Sequence, residues 1–160
     1  MEDEQLPSWA LRVFNINQGV DLHNLTVKVI EASDISSQRN CFTLQDGIVR
    51  KHLIPYLTIE EREKAGFIVP IDLDCSTSSG RRICGGLKVT VYVRAGRRVA
   101  DLLLMHSDEV GGTVITGDNL EELRTAGKLR EGELVEIWMF RLPPYHGNPK
   151  ELCFIFVKVD

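Results

Sequence analysis

Six basic residues, Arg81, Arg82, Lys88, Arg94, Arg97 and Arg98, fall between Cys75 and Ala100 with no acid among them. Guanidinium and ammonium groups at that density suit the binding of anions, phosphates above all. A solvated hairpin edge would carry the same charges without binding anything. Upstream, the stretch Ala32-Ser33-Asp34-Ile35-Ser36-Ser37-Gln38-Arg39-Asn40 is a polar loop rich in side chains that donate and accept hydrogen bonds. Ser, Asp and Asn also build Asx and ST turns, so on its own this loop reads equally as a turn-rich connector.

Little else in the chain is arranged for chemistry. His23, His52, His106 and His146 are scattered, and none sits at ligand spacing from a cysteine or carboxylate. Cys41, Cys75, Cys84 and Cys153 contain no CxxC pair, which favours reduced thiols over a zinc site and a cytosolic or nuclear setting over a secreted one. Glu60, Glu61 and Glu63 read as a solvated helix face. Ser76 to Gly80 lacks the context of a nucleophile elbow, and Gly111-Gly112 that of a phosphate loop. No catalytic centre, metal or cofactor is expected, and no enzyme activity.

The charge is unevenly spread. The whole chain of 160 residues carries 19 basic and 23 acidic residues, a net −4. Setting aside the six basic residues of the cationic stretch leaves the remainder at −10. Taken whole, such a chain has no electrostatic footprint for nucleic acid; only the distribution points to one. Hydrophobic content of 43% and charged content of 26% are those of one ordinary globular domain with a sizeable core. No apolar run approaches the roughly 18 residues of a membrane span. The acidic start, Glu2, Asp3 and Glu4, is unlike a secretory or mitochondrial signal.

The elements that must position these residues are mostly strands. Gly117 to Arg141 organises the rest. Asp118 and Glu121 have the spacing of a capping box, and Leu120, Leu123 and Ala126 form one helical face. Gly127 is the expected stop and Glu131-Gly132 a turn. Glu133 to Phe140 is then a strand apolar on both faces, Leu134, Trp138 and Phe140 on one and Val135, Ile137 and Met139 on the other, so it belongs inside the domain. Leu25 to Ile30 alternates as a strand with Leu25, Val27 and Val29 inward, and Phe42 to Leu44 is a second. Gly47 to Ile54 is loosely helical up to Pro55. Thr58-Ile59-Glu60-Glu61 caps a short helix ending at Gly66. Phe67 to Leu73 reads as an edge strand and Leu87 to Val93 as the clearest alternation, followed by an Ala95-Gly96 turn and a return through Val99 to Met105. Thr113 to Thr116 and Leu152 to Val159 complete the set. Seven or eight strands with two or three short helices out of regular alternation make a mostly antiparallel barrel or sandwich. Residues 1–24, with Trp9, Leu11, Val13, Phe14 and Ile16, are too apolar for a tail; Pro7-Ser8 could precede a helix, and the segment either packs on the domain or meets a second chain.

In this order the pieces resemble a known family. Ala32-Ser33-Asp34, Tyr56-Leu57-Thr58-Ile59-Glu60-Glu61, Val114-Ile115-Thr116-Gly117, the run from Lys128 to Arg141 (KLREGELVEIWMFR) and Leu152-Cys153-Phe154 are similar to the plant B-three DNA-binding domain, in its divergent members. The resemblance spans about residues 26–160. It implies a mainly β fold, a seven-stranded open pseudobarrel with two or three short helices, as domain 25–160 behind an extension 1–24. It also implies a nuclear transcriptional regulator that grips the major groove of double-stranded DNA with two arms.

By that resemblance the first arm is Ser33 to Asn40 and the second about Met105 to Gly112. In the first, Gln38 and Asn40 have the groups to read adenine edges, Arg39 those for guanine, and Ser33, Ser36 and Ser37 those for phosphate. Arg81, Arg82, Arg97 and Arg98 would meet phosphates, with His106 and Ser107 contributing from the second arm. Two departures stand out: Asp108 and Glu109 occupy the second arm, and Gln45 stands where the family has a proline after the second strand. A protein-interaction module on the same scaffold, using the apolar N-terminal segment for a partner or a second copy, is the alternative expectation.

Overall fold

The computed structural model describes residues 7–35, 41–67, 86–107, 112–142 and 151–159. The chain runs through α1 (Ser8–Ile16), β1 (Val20–Val29), the one-turn α2 (Ala32–Ile35) and β2 (Cys41–Leu44). A short turn, α3 (Asp46–Ile48), passes into a π-helical turn Val49–Leu53 and a 3-10 turn Ile54–Tyr56, and α4 (Ile59–Ala65) follows. Then come β3 (Leu87–Val93), a 3-10 turn Arg94–Gly96, β4 (Arg97–Ser107), β5 (Gly112–Thr116), α5 (Leu120–Gly127), β6 (Leu134–Arg141) and β7 (Leu152–Val159). The protein is mainly β: one curled, open half-barrel of seven strands with five short helices among the described residues.

Strand order is β1-β6-β7-β3-β4-β5-β2, antiparallel throughout except for the parallel β3–β7 pair. The curl brings the two edge strands near each other, with a groove of about 310 Å³ between them lined by Thr26, Val27, Lys28, Val29, Thr43 and Leu44. The β1–β2 connection, the β3–β4 turn and α5 lie at one end of the barrel. By the strand directions, α3, α4 and the β4–β5 connection lie at the other.

Two apolar clusters explain why β6 is apolar on both sides. Val135, Ile137 and Met139 point into the main core, with Leu87, Val89, Val91 and Val93 from β3 and Leu120 and Leu123 from α5. Trp138 and Phe140 point outward, where Tyr92, Cys153 and Ile155 join them and α1 covers them with Ala10 and Val13. Phe14 meets Phe140 edge to face, ring centroids 5.6 Å apart, a favoured aromatic geometry. The N-terminal segment therefore packs on the domain: Trp9 and Phe14 are half-buried in this second cluster.

Several expectations need correction. The first strand, expected from Leu25, already starts at Val20. Val27 and Val29 were expected inward but are 49% and 53% exposed. The cause is a register shift between Asn24 and Thr26, which leaves Leu25 as an extra residue and flips the faces after it. The N-terminal cap of α5 is Asn119, with no side-chain cap bond, so Asp118 and Glu121 form no capping box. Asn119 instead donates its Nδ2 to Ala100 O at 2.7 Å. The helix runs through Gly127, which packs against Val93 and Leu129, and stops at Lys128 in the left-handed region (φ 52). Five short helices are described where two or three were expected: α1 forms within the segment to which the sequence assigns no definite element, and α2 is a single turn within the loop read from Ala32 to Asn40. In contrast, Thr58 and Glu61 do form the reciprocal capping box, and Gly66 ends α4 at φ 85. Of the strand expected from Phe67 to Leu73, residues 68–73 lie outside the described residues, as do residues 75–80 and 143–150.

Candidate nucleic-acid interface

The root of the first arm is built around one buried carboxylate. Asp34 closes the single turn of α2 and has no exposed surface. Its Oδ2 accepts from the Glu31 backbone N–H at 2.9 Å, and its Oδ1 from the Thr43 N–H at 3.0 Å and Thr43 Oγ1 at 3.1 Å. Lys28 Nζ of β1 lies 3.0 Å from Oδ2 and donates to Thr43 Oγ1 at 3.3 Å. On the other side, Arg124 Nε of α5 donates to Asp34 O at 2.8 Å. Ser33, beside it, is half-buried. Ser36, Ser37, Gln38, Arg39 and Asn40 lie outside the described residues.

The second arm is set by the β4–β5 hairpin. His106 pairs with Thr113 and Ser107 with Gly112, and the His106 side chain is exposed. Asp108 and Glu109 lie outside the described residues. β5 in turn pairs with β2 over four positions, Cys41 with Thr116 through Leu44 with Thr113. The two arms thus join opposite ends of one short ladder, about 10 Å apart at roughly 3.4 Å per residue.

The described part of the cationic stretch does not gather at this place. Lys88, Arg94, Arg97 and Arg98 are exposed, and Arg81 and Arg82 lie outside the described residues. Arg97 Nη2 pairs with Glu122 Oε2 of α5 at 2.9 Å, a surface pair. Arg98 lies opposite Tyr92 in the β3–β4 pairing, on the face that α1 covers. Burial raises the Tyr92 hydroxyl pKa, and the neighbouring Arg98 partly opposes that rise. These arginines therefore sit toward α1 and α5, two strands from the edge that bears the first arm.

A second basic run, not singled out in the sequence, is Arg50-Lys51-His52. All three are exposed on the π-helical turn just past β2, at the end of the ladder where the second arm enters. Its signal was present as three consecutive basic or titratable residues, but they fell outside the acid-free window. Lys28, Thr43 and Arg124 were likewise missed, because strand alternation and helix periodicity say nothing of a partner 15 or 90 residues away.

Among the described residues no three His, Cys, Asp or Glu side chains come together as a metal site. No described helix is long and apolar enough to cross a membrane. No protein-family model matches this sequence. No curated protein matches it either.

Proposed function

We propose that this chain is a sequence-selective double-stranded DNA-binding domain, of the plant B-three type, within a nuclear transcriptional regulator. What supports the reading is the way both arms are rooted. A seven-stranded open half-barrel carries them at the two ends of the four-pair β2–β5 ladder. The spacing of about 10 Å is of the order of the major groove, about 12 Å wide. In this reading Gln38, Arg39 and Asn40 read bases, while Ser33, Ser36 and Ser37 hold phosphates beside them. Arg50 and Lys51 join Arg81 and Arg82 as phosphate-facing cations, with His106 and Ser107 on the second arm; Arg97 and Arg98, two strands from that edge, are left to phosphates outside the two arms.

The test is selection of the full chain on a randomised duplex pool, followed by binding at several salt concentrations. With roughly three to five phosphates neutralised, log K against log[salt] should slope about −3 to −4.5. Absence of duplex binding at low salt overturns the proposal.

A second reading draws on a different observation. Val29, Leu134 and Val159 are direct cross-strand neighbours on the outer face, each at least 39% exposed, with Val27 beside them. Such a strip suits a protein contact better than a nucleic acid. Sedimentation of the full chain against a Val29→Ser, Leu134→Ser variant tests it. A monomer in both, across the accessible concentration range, removes the self-association form of this reading.

A further inference from the structure

We infer that Asp34 is a positioning residue for DNA recognition, fixing the root of the first arm; the inference rests on the function proposed above. The segment between Ile35 and Cys41 leaves α2 at one end and enters β2 at the other. Asp34 holds both ends: it is itself part of α2, and its Oδ1 takes both donors of Thr43, two residues into β2. Its Oδ2 faces Lys28 of β1, and its backbone oxygen takes Arg124 of α5. One residue thus joins β1, β2, α2 and α5.

That joint sits where backbone pairing is missing. β1 and β2 are the two edges of the sheet, and no strand ladder joins them. Across the seam the Lys28 ammonium meets Asp34 and Thr43 and lies 5.3 Å from the centre of the Phe42 ring. Side chains therefore set the spacing of the seam at the residues that flank the arm. A buried ion pair is a weak source of stability, since desolvation offsets its attraction; its best-attested use is to select one geometry over others. Base readout needs that selection, because a side chain displaced by an ångström loses its paired hydrogen bonds to a base edge.

The experiment uses the full chain and two duplexes: the one it selects from the random pool, and a shuffled version. Affinity for each is measured for the unaltered chain, for Asp34→Asn and for the milder Thr43→Val. Asp34→Asn should lower the ratio of selected to shuffled affinity about tenfold, on the order of one good base contact. The slope against salt should stay unchanged, and Thr43→Val should lower the ratio less. Partial unfolding would weaken both duplexes alike and leave the ratio where it was. If folded Asp34→Asn and Thr43→Val both keep the full ratio, the inference is overturned while the DNA reading stands. Should Asp34→Asn not fold, Thr43→Val decides: a lowered ratio supports the inference and an unchanged one overturns it. If the unaltered chain binds no duplex at all, the DNA reading fails and takes the inference with it.

Discussion

Arg141 closes on Glu61 through two hydrogen bonds, Nη1 to Oε2 at 2.7 Å and Nη2 to Oε1 at 2.6 Å. The first residue ends β6 and the second lies in the first turn of α4. The same guanidinium donates to Tyr56 O at 3.0 Å and stacks 5.0 Å from the Tyr56 ring. Tyr56 in turn donates its hydroxyl to Asp21 O at 2.6 Å. Two of the motifs that carry the family resemblance, 56–61 and 128–141, thus meet in one contact at the barrel end opposite the first arm.

Both partners of that pair are largely buried, so losing one strands a charge. Glu61→Ala should cost about 3 kcal/mol or more in urea unfolding, and a paired Glu61→Leu, Arg141→Met change should recover most of it. Equal losses in the single and the double variants would show that the pair holds nothing together.

Acid should act through the same residue. Burial by itself would raise the Glu61 pKa, but the hydrogen bonds from Arg141 and Thr58 and the charge of Arg141 outweigh it and hold the carboxyl below the usual range. A depressed folded value means that the stabilisation is whole above the unfolded value, about 4.3, and is lost as pH falls through the folded one. Unfolding followed from pH 6 downward should therefore steepen below about 4.3, and Glu61→Gln should flatten that limb.

At the alkaline end Cys153 has the opposite sign. Burial pushes its thiol up to about 12. A raised folded value gives stability that is whole below the unfolded value, about 8.5, and is lost as pH climbs toward the folded one. Cys153→Ala should lessen the fall above about pH 8.5. In the native state iodoacetamide should modify half-buried Cys41 well before Cys153, read by peptide mass.

The joint between α1 and β6 is tight enough to reject one methyl group. A Cβ on Gly19 would lie 2.6 Å from Phe140 Cδ2 and 2.7 Å from Phe14 Cδ1. Gly19→Ala should cost about 1–3 kcal/mol, seen as a fall of several degrees in Tm. An unchanged Tm would mean that the α1 contact is loose.

If the chain binds DNA as proposed, Glu122 is a competitor of phosphate for Arg97. The pair is solvent-exposed, so breaking it costs the fold under about 1 kcal/mol. Glu122→Gln should raise duplex affinity severalfold at low salt, and Arg97→Gln should lower it and reduce the salt slope by about 0.9. Identical salt plots for all three chains would take Arg97 off the phosphate path.

Much of the frame was legible because it depends on local pattern. The two-faced β6, the alternation of β3 and the capping box at Thr58 each follow from residues within one element. What escaped depends on distance. The bulge at Leu25 that turned Val27 and Val29 outward is a property of the β1–β6 pairing, and no alternation in β1 announces it. Ser33 and Asp34 were legible as a motif, yet the ties to Lys28, Thr43 and Arg124 exist only once three elements meet. The six cations group together, as a site or as a solvated hairpin edge, because they fall close together in sequence. In space, Arg97 turns to α5 and Arg98 to the Tyr92 side.

The place of β7 in the sheet has a consequence for synthesis. Among the seven described strands it comes last in sequence, yet it lies between β6 and β3 and is the strand whose backbone ladders join the β1–β6 pair to the β3-β4-β5-β2 group. Until residues 152–159 are made, β6 and β3, both largely apolar, each lack the strand that pairs with one of their edges. The described sheet therefore cannot be completed before β7 is made. For as long as translation takes to reach β7, those two edges are what a chaperone would have to shield.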